Sequence, residues 1–122
     1  MWTETVPLTS FVKNMAYDFM LVRKAEEDLE AIVSHLAIQL CNPQAAANFL
    51  AQLQASIEEV CLFPESGRLV DNEFLPVQTI RKKLVSSYVL YYLPDSDANK
   101  IYVLRIVYGR RNLEEVLRDI QE

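Results

Sequence analysis

The chain has 122 residues, the size of one domain, and its 51% hydrophobic content is enough for a sizeable core, which excludes wholesale disorder. No apolar run approaches the roughly 18 residues of a membrane span, and the opening Met1-Trp2-Thr3-Glu4-Thr5 carries an acid where a secretion signal is basic, so a cytosolic protein without membrane contact is expected. A net charge of -5 argues against non-specific nucleic-acid binding if it is evenly spread.

It is not evenly spread. Residues 1–63 hold three Lys/Arg against eight Asp/Glu, residues 64–111 hold eight against five, and residues 112–122 hold one against four. The middle stretch is the basic part, so an electrostatic footprint falls there; a solvated sheet edge is the competing reading.

Residues 1–14 show no periodicity and read as an N-terminal extension, with a single domain over 15–122. Ala16 to Val22 reads as a short buried strand. From Lys24 the period becomes helical: Leu29, Ile32, Val33, Leu36 and Leu40 form one stripe, and Glu26, Glu27 and Asp28 occupy the first turn, where the helix dipole favours anions. Asn42-Pro43 ends this helix and starts another, Asn as N-cap and Pro at the first helical position. The second stripe runs through Ala46, Phe49, Leu50, Leu53, Ile57, Val60 and Cys61 and stops before Pro64. So short a connection predicts an antiparallel helical hairpin. On that hairpin Cys41 and Cys61 lie about 25–30 Å apart at a 1.5 Å rise per residue, far beyond the roughly 7 Å a disulfide spans. Two free thiols are expected.

Phe63 to Arg68 is a turn and 69–77 a loop. Strands follow over 78–85, 87–93 and 101–108, with Pro94 to Asn99 as a hairpin loop, and Asn112-Leu113-Glu114-Glu115 is a capping box opening a short final helix. The order β-α-α-β-β-β-α predicts an α+β fold: a helical hairpin on one face of a mostly antiparallel four-stranded sheet, the other face left for solvent or a partner. By strict alternation Ile101, Val103, Arg105 and Val107 share a face, and an arginine among valines assigns that face to the open side.

Taken in order, Asp28-Leu29, Pro43, Phe49, Phe63-Pro64, Ser66-Gly67-Arg68, Arg81, Tyr88-Val89-Leu90-Tyr91-Tyr92 and Tyr108-Gly109-Arg110-Arg111-Asn112 resemble the RelE/ParE superfamily of bacterial type II toxins, over about residues 17–117. The two glycines, Gly67 and Gly109, fall on motif positions beside arginines, where a positive φ or a close backbone approach is the usual need. The resemblance implies a growth-inhibiting, plasmid-stabilising toxin without cofactor, held in a hetero-oligomer by a cognate antitoxin. Its target would be DNA gyrase for ParE-like members or ribosome-bound mRNA for RelE-like endoribonucleases.

Two departures separate these readings. Val89 stands where the ribonuclease pattern has an arginine after tyrosine, and Leu117 stands where it has a catalytic tyrosine. Neither side chain holds a phosphate or carries a proton. The Tyr-Val-Leu-Tyr-Tyr strand is similar to ParE-type toxins, so the gyrase-directed reading leads, with a ribosome-dependent ribonuclease and a non-toxic interaction module of the same fold behind it. Catalytic residues are not assigned. Arg81, Lys83, Arg105, Tyr108, Arg110 and Arg111 are the candidates for contacting a target or a phosphate, because guanidinium forks suit carboxylates and phosphates alike. His35, the sole histidine, reads as a surface or boundary residue on the first helix; with two distant cysteines it makes no metal site.

Overall fold

The computed structural model describes residues 17–70 and 80–109. Strand β1 (Asp18–Leu21) leads into helix α1 (Arg23–Ser34), which continues as one π-helical turn over His35–Gln39. Helix α2 (Pro43–Leu62) follows, then β2 (Arg68–Leu69), β3 (Arg81–Val85), β4 (Tyr88–Asp95) and β5 (Lys100–Tyr108). The predicted final helix lies outside the described residues, as do residues 1–14 and most of the 69–77 loop.

The strands form one sheet in the order β1-β5-β4-β3-β2. All pairings are antiparallel except β1 with β5. This is the expected α+β architecture with one strand more: Leu69, read as loop, joins Arg68 in a two-residue edge pairing with Arg81 and Lys82. Strand β4 also runs on through Pro94 and Asp95, because Asp95 pairs with Lys100 and its carboxylate accepts from the N–H groups of Asp97 and Ala98 to close the turn.

The hairpin forms as its sequence dictates. The Asn42 side chain accepts from the Ala45 N–H at 3.0 Å, an N-cap contact, and Pro43 takes the first turn. Of the predicted α2 stripe, Ala46, Phe49, Leu53, Ile57, Val60 and Cys61 are buried, and only Leu50 is exposed. Phe49, Leu53, Ile57, Val60 and Cys61 form one core with Val85, Leu90, Tyr92, Ile101, Val103 and Ile106 of the sheet and Ala25 and Ile32 of α1. Both cysteines are free, Cys41 exposed and Cys61 buried. Cys41 links the helices at φ +50°, one of the few left-handed backbone positions in the described chain.

Three expectations need correction. The first strand is not buried: Asp18, Phe19 and Met20 are exposed, because β1 is an edge strand and its apolar run is covered on one side only. The face opposite the helices is not simply open, since Val70, Ile80, Tyr91 and Val107 are buried there, with Val89, Leu93 and Leu104 beside them. Strict alternation along β5 also fails. The register with β4 shifts between Tyr91 and Tyr92, so that Tyr92 pairs with Val103 while Tyr91 pairs with Arg105. The extra residue is Leu104, and it reverses the phase: Ile101 and Val103 face the helices before it, Ile106 after it, while Val107 turns to the other side.

Candidate functional site

Arg105 does share a face with Ile101 and Val103, as alternation requires, but that face is the helix-covered one. It was expected on the open face, but its side chain lies beneath α1 and is 1% exposed. Its Nε donates to Asp28 at 2.7 Å and its Nη2 at 3.0 Å, a bidentate pair, and the same carboxylate accepts the Ile106 N–H at 3.0 Å. Three donors thus converge on one carboxylate that is itself mostly shielded, the condition under which a buried charge is tolerated. Asp28, read as an acid favouring the helix N-terminus, ties α1 to β5.

Arg81 and Lys83 also face the helical side. Cross-strand partners share a face, and these two oppose Tyr92 and Leu90, both in the helix-covered core. Arg81 Nη1 donates to the carbonyls of Gly67 at 2.7 Å and Glu65 at 3.3 Å. Lys83 Nζ donates to Ser66 Oγ at 3.2 Å and pairs with Glu59 of α2. Between them the Tyr92 hydroxyl donates to the Pro64 carbonyl and accepts the Gly67 N–H, each at 2.9 Å. Gly67 is therefore required for close approach and not for a positive φ: a Cβ there would lie 2.6 Å from both the Lys82 carbonyl and the Tyr92 hydroxyl. The Phe63-to-Arg68 motif is a junction clamped by Tyr92, Arg81 and Lys83.

Tyr108 ends β5 at the opposite end of the sheet. Its ring meets Tyr88 edge-on at 5.8 Å, and Tyr88 meets Phe49 at 5.0 Å. These aromatics, with His35, Leu36, Leu40, Asn48 and Gln52, line a groove of about 670 Å³ between the hairpin and the sheet. His35 is exposed, as expected, with Nδ1 2.9 Å from Gln39 Oε1. Gly109 donates its N–H to the Ser87 carbonyl at 2.9 Å, so the chain leaves the described structure at the β3–β4 turn. Arg110 and Arg111 follow it and lie outside the described residues.

The expected cluster therefore divides. Tyr88 opens β4 and Tyr92 stands four residues further on, about 13 Å away at a strand's rise; Tyr108 and Gly109 stand beside the first, Arg81 and its carbonyl partners beside the second. Arg105 lies between them in the interior.

Two cations absent from that site list share the other face. Arg68 pairs across strands with Lys82, and Lys82 opposite Tyr91. With Leu84 and Val89 they line a groove of about 390 Å³, and neither has an acidic partner among the described residues. Period-two alternation from Lys83 to Lys82 carried the signal; the two-residue strand that brings Arg68 alongside did not. Burial raises the Tyr91 hydroxyl above its ordinary pKa, which keeps it protonated and makes it a poor general base. Among the described residues no group of acidic, histidine or cysteine side chains is arranged to hold a metal. No helix there is long and apolar enough to cross a membrane.

Among solved structures the fold is similar to the chromosomal ParDE toxin-antitoxin system from P. aeruginosa, at 20% identity and a TM-score of 0.59, over 77% of this chain and 97% of that one. It is likewise similar to the RelBE2 toxin-antitoxin complex from Mycobacterium tuberculosis, at 17% identity and 0.56, over 76% and 98%. A mutant of the E. coli toxin RelE in its free state matches at 22% identity and 0.58, over 88% and 96%. A search of the curated proteins returned no match. Likeness at these identities speaks for the fold, and the family comes from the sequence: residues 20–113 match the family described as ParE toxin of type II toxin-antitoxin system, parDE, and the chain belongs to that family within the RelE/ParE superfamily.

Proposed function

We propose that this chain is a ParE-like toxin directed at DNA gyrase and held inactive by a cognate antitoxin. One observation carries the choice of target. Val89, at the position where the resemblance implies a ribonuclease arginine, faces Tyr91, Leu93, Leu104 and Val107 in an apolar cluster. Phosphoryl chemistry needs cationic donors on the developing charge and a proton carrier in reach. Here Val89 brings no donor, Arg105 lies under the helices on Asp28, and the buried Tyr91 is a poor proton carrier, so Arg68 and Lys82 have no described proton carrier beside them. A face of this composition suits protein contact, with Arg68 and Lys82 at its margin, and Arg110 and Arg111, next in sequence after Gly109, are suited by their chemistry to engage carboxylates.

The ribosome-dependent ribonuclease reading draws on the same Arg68–Lys82 pair, which has no acidic partner among the described residues and could meet a phosphate backbone. Purified toxin added to a gyrase supercoiling and cleavage assay, beside primer extension on ribosome-bound message, separates the two. Gyrase inhibition with intact message is expected; message cleavage with unaffected gyrase would reverse the assignment. Coexpression of the adjacent reading frame should relieve growth arrest if an antitoxin is encoded there.

A further inference from the structure

The β2 edge of the sheet is only partly filled. Strand β2 pairs with β3 through Arg68 and Leu69, opposite Lys82 and Arg81, and the Val70 N–H then donates to the Ile80 carbonyl. That bond fixes the phase: Ile80 and Lys82 turn their backbone groups towards β2, and Arg81 and Lys83 turn theirs towards β4. Leu84, two residues past Lys82, therefore presents its N–H and C=O to the same outer side. No strand meets it there among the described residues, because β2 begins only at Arg68 while β3 runs on to Val85.

The side chains around this gap are of two kinds. Leu84, 73% exposed, stands beside Val89, and Arg68 and Lys82 line the same groove of about 390 Å³. Lys82 is half-buried with another cation as its cross-strand neighbour, whereas Lys83, also on the groove, is matched by Glu59.

We propose that the gap receives an extended, acidic segment of a protein partner. Its backbone bonds to Leu84, its carboxylate lies between Arg68 and Lys82, and an apolar side chain covers Leu84 and Val89. An unfilled strand edge is a template for another strand, and main-chain bonds supply the affinity. Charge selects the occupant. A carboxylate between Arg68 and Lys82 offsets the repulsion of like charges across a ladder, while a second copy of this chain brings the same cations to the edge and is repelled. A phosphodiester has neither an N–H for the Leu84 carbonyl nor an apolar group for its side chain. The inference rests on the reading of this face as a protein-contact surface and names the chemistry of what it contacts.

A terminally blocked peptide of alternating valine and glutamate, titrated into the isotope-labelled full chain, tests this through amide chemical shifts. Saturable shifts centred on Leu84, Lys82 and Arg68 are expected, and lysine in place of glutamate should abolish them. Arg68→Glu with Lys82→Glu should weaken binding several-fold at an unchanged far-ultraviolet circular dichroism spectrum, since neither has an acidic partner among the described residues. Leu84→Pro removes the outward N–H and spares the bonds to β4, so it too should weaken binding. A fully N-methylated peptide tests the same pairing should the proline variant fail to fold. Absent shifts, undiminished binding by the double variant or by the N-methylated peptide, or binding of oligouridylate in place of the peptide would overturn the proposal. Gyrase takes no part in this titration, so a chain that inhibits gyrase and ignores the peptide overturns this inference alone. Peptide binding by a chain inert on gyrase supports it and overturns only the target.

Discussion

The two faces of the sheet are both apolar at their centres, yet they treat cations in opposite ways. Under the helices, Arg105 is enclosed and its charge is met by a bidentate carboxylate from α1. On the other face, Arg68 and Lys82 stand opposite each other on neighbouring strands with no acid among the described residues to separate them. Like charges directly across a ladder are destabilising, whereas a buried bidentate pair is a joint whose loss the fold feels. The comparison teaches that a cation's place in a motif says little about its task until the carboxylates around it are known.

The sharpest way to break the comparison is at the joint. Asp28→Ala strands a buried guanidinium and is expected to cost about 3–5 kcal/mol, read as a shift in the urea midpoint. A double variant, Asp28→Leu with Arg105→Met, removes both charges and should recover most of that loss. If the single variant unfolds no more readily than the parent, Arg105 is free to act elsewhere and its structural assignment fails.

A smaller loss is expected at the clamp. Tyr92→Phe leaves the Gly67 N–H and the Pro64 carbonyl without their shared partner, and about 1–3 kcal/mol should follow, with little change in the core because the ring remains. On the functional side, changing Arg110 and Arg111 to alanine should abolish growth arrest at unchanged melting temperature. Retained toxicity, or unfolding, would remove both from the target surface. Truncation to Met15 should leave the fold cooperative and lower the melting temperature by only a few degrees; a collapse of thermal stability would make residues 1–14 part of the domain.

The mildest effect concerns the thiols. Burial, then Asp18 and Glu58, raise Cys61 above its ordinary pKa of 9.0, so less of it is thiolate at any given pH. Exposed Cys41 should react quickly with a thiol reagent at pH 8, and Cys61 only on unfolding. Because the folded value is the raised one, the stability linked to Cys61 is complete below the unfolded value and declines as pH rises through the folded one. Equal labelling rates would place Cys61 at the surface.

Both helices, their Asn-Pro joint, three of the strands and the antiparallel hairpin could be read along the chain, because capping chemistry and apolar periodicity act within a few residues. So could the facing of Tyr88, Leu90 and Tyr92, which alternation alone specifies. The candidate site was less legible. Arg81 and Lys83 were found by type, but their helix-facing direction depends on pairing with β4, and their partners at Gly67, Glu65, Ser66 and Glu59 lie between 14 and 24 positions away in sequence.

What the sequence determined by itself was both helices, most of the described strands and the family they belong to, since each of these elements is encoded by its own residues. Only the tertiary structure decided which of the expected cations are available. Alternation groups Arg105 with Ile101 and Val103, but only the packing of the helices shows that theirs is the covered face, with Asp28 waiting 77 positions earlier in the chain to receive the guanidinium. The bulge at Leu104 then sends Val107 to the other side, which a period-two reading cannot detect, because a bulge arises from how two strands register and twist against each other and not from the pattern within either one.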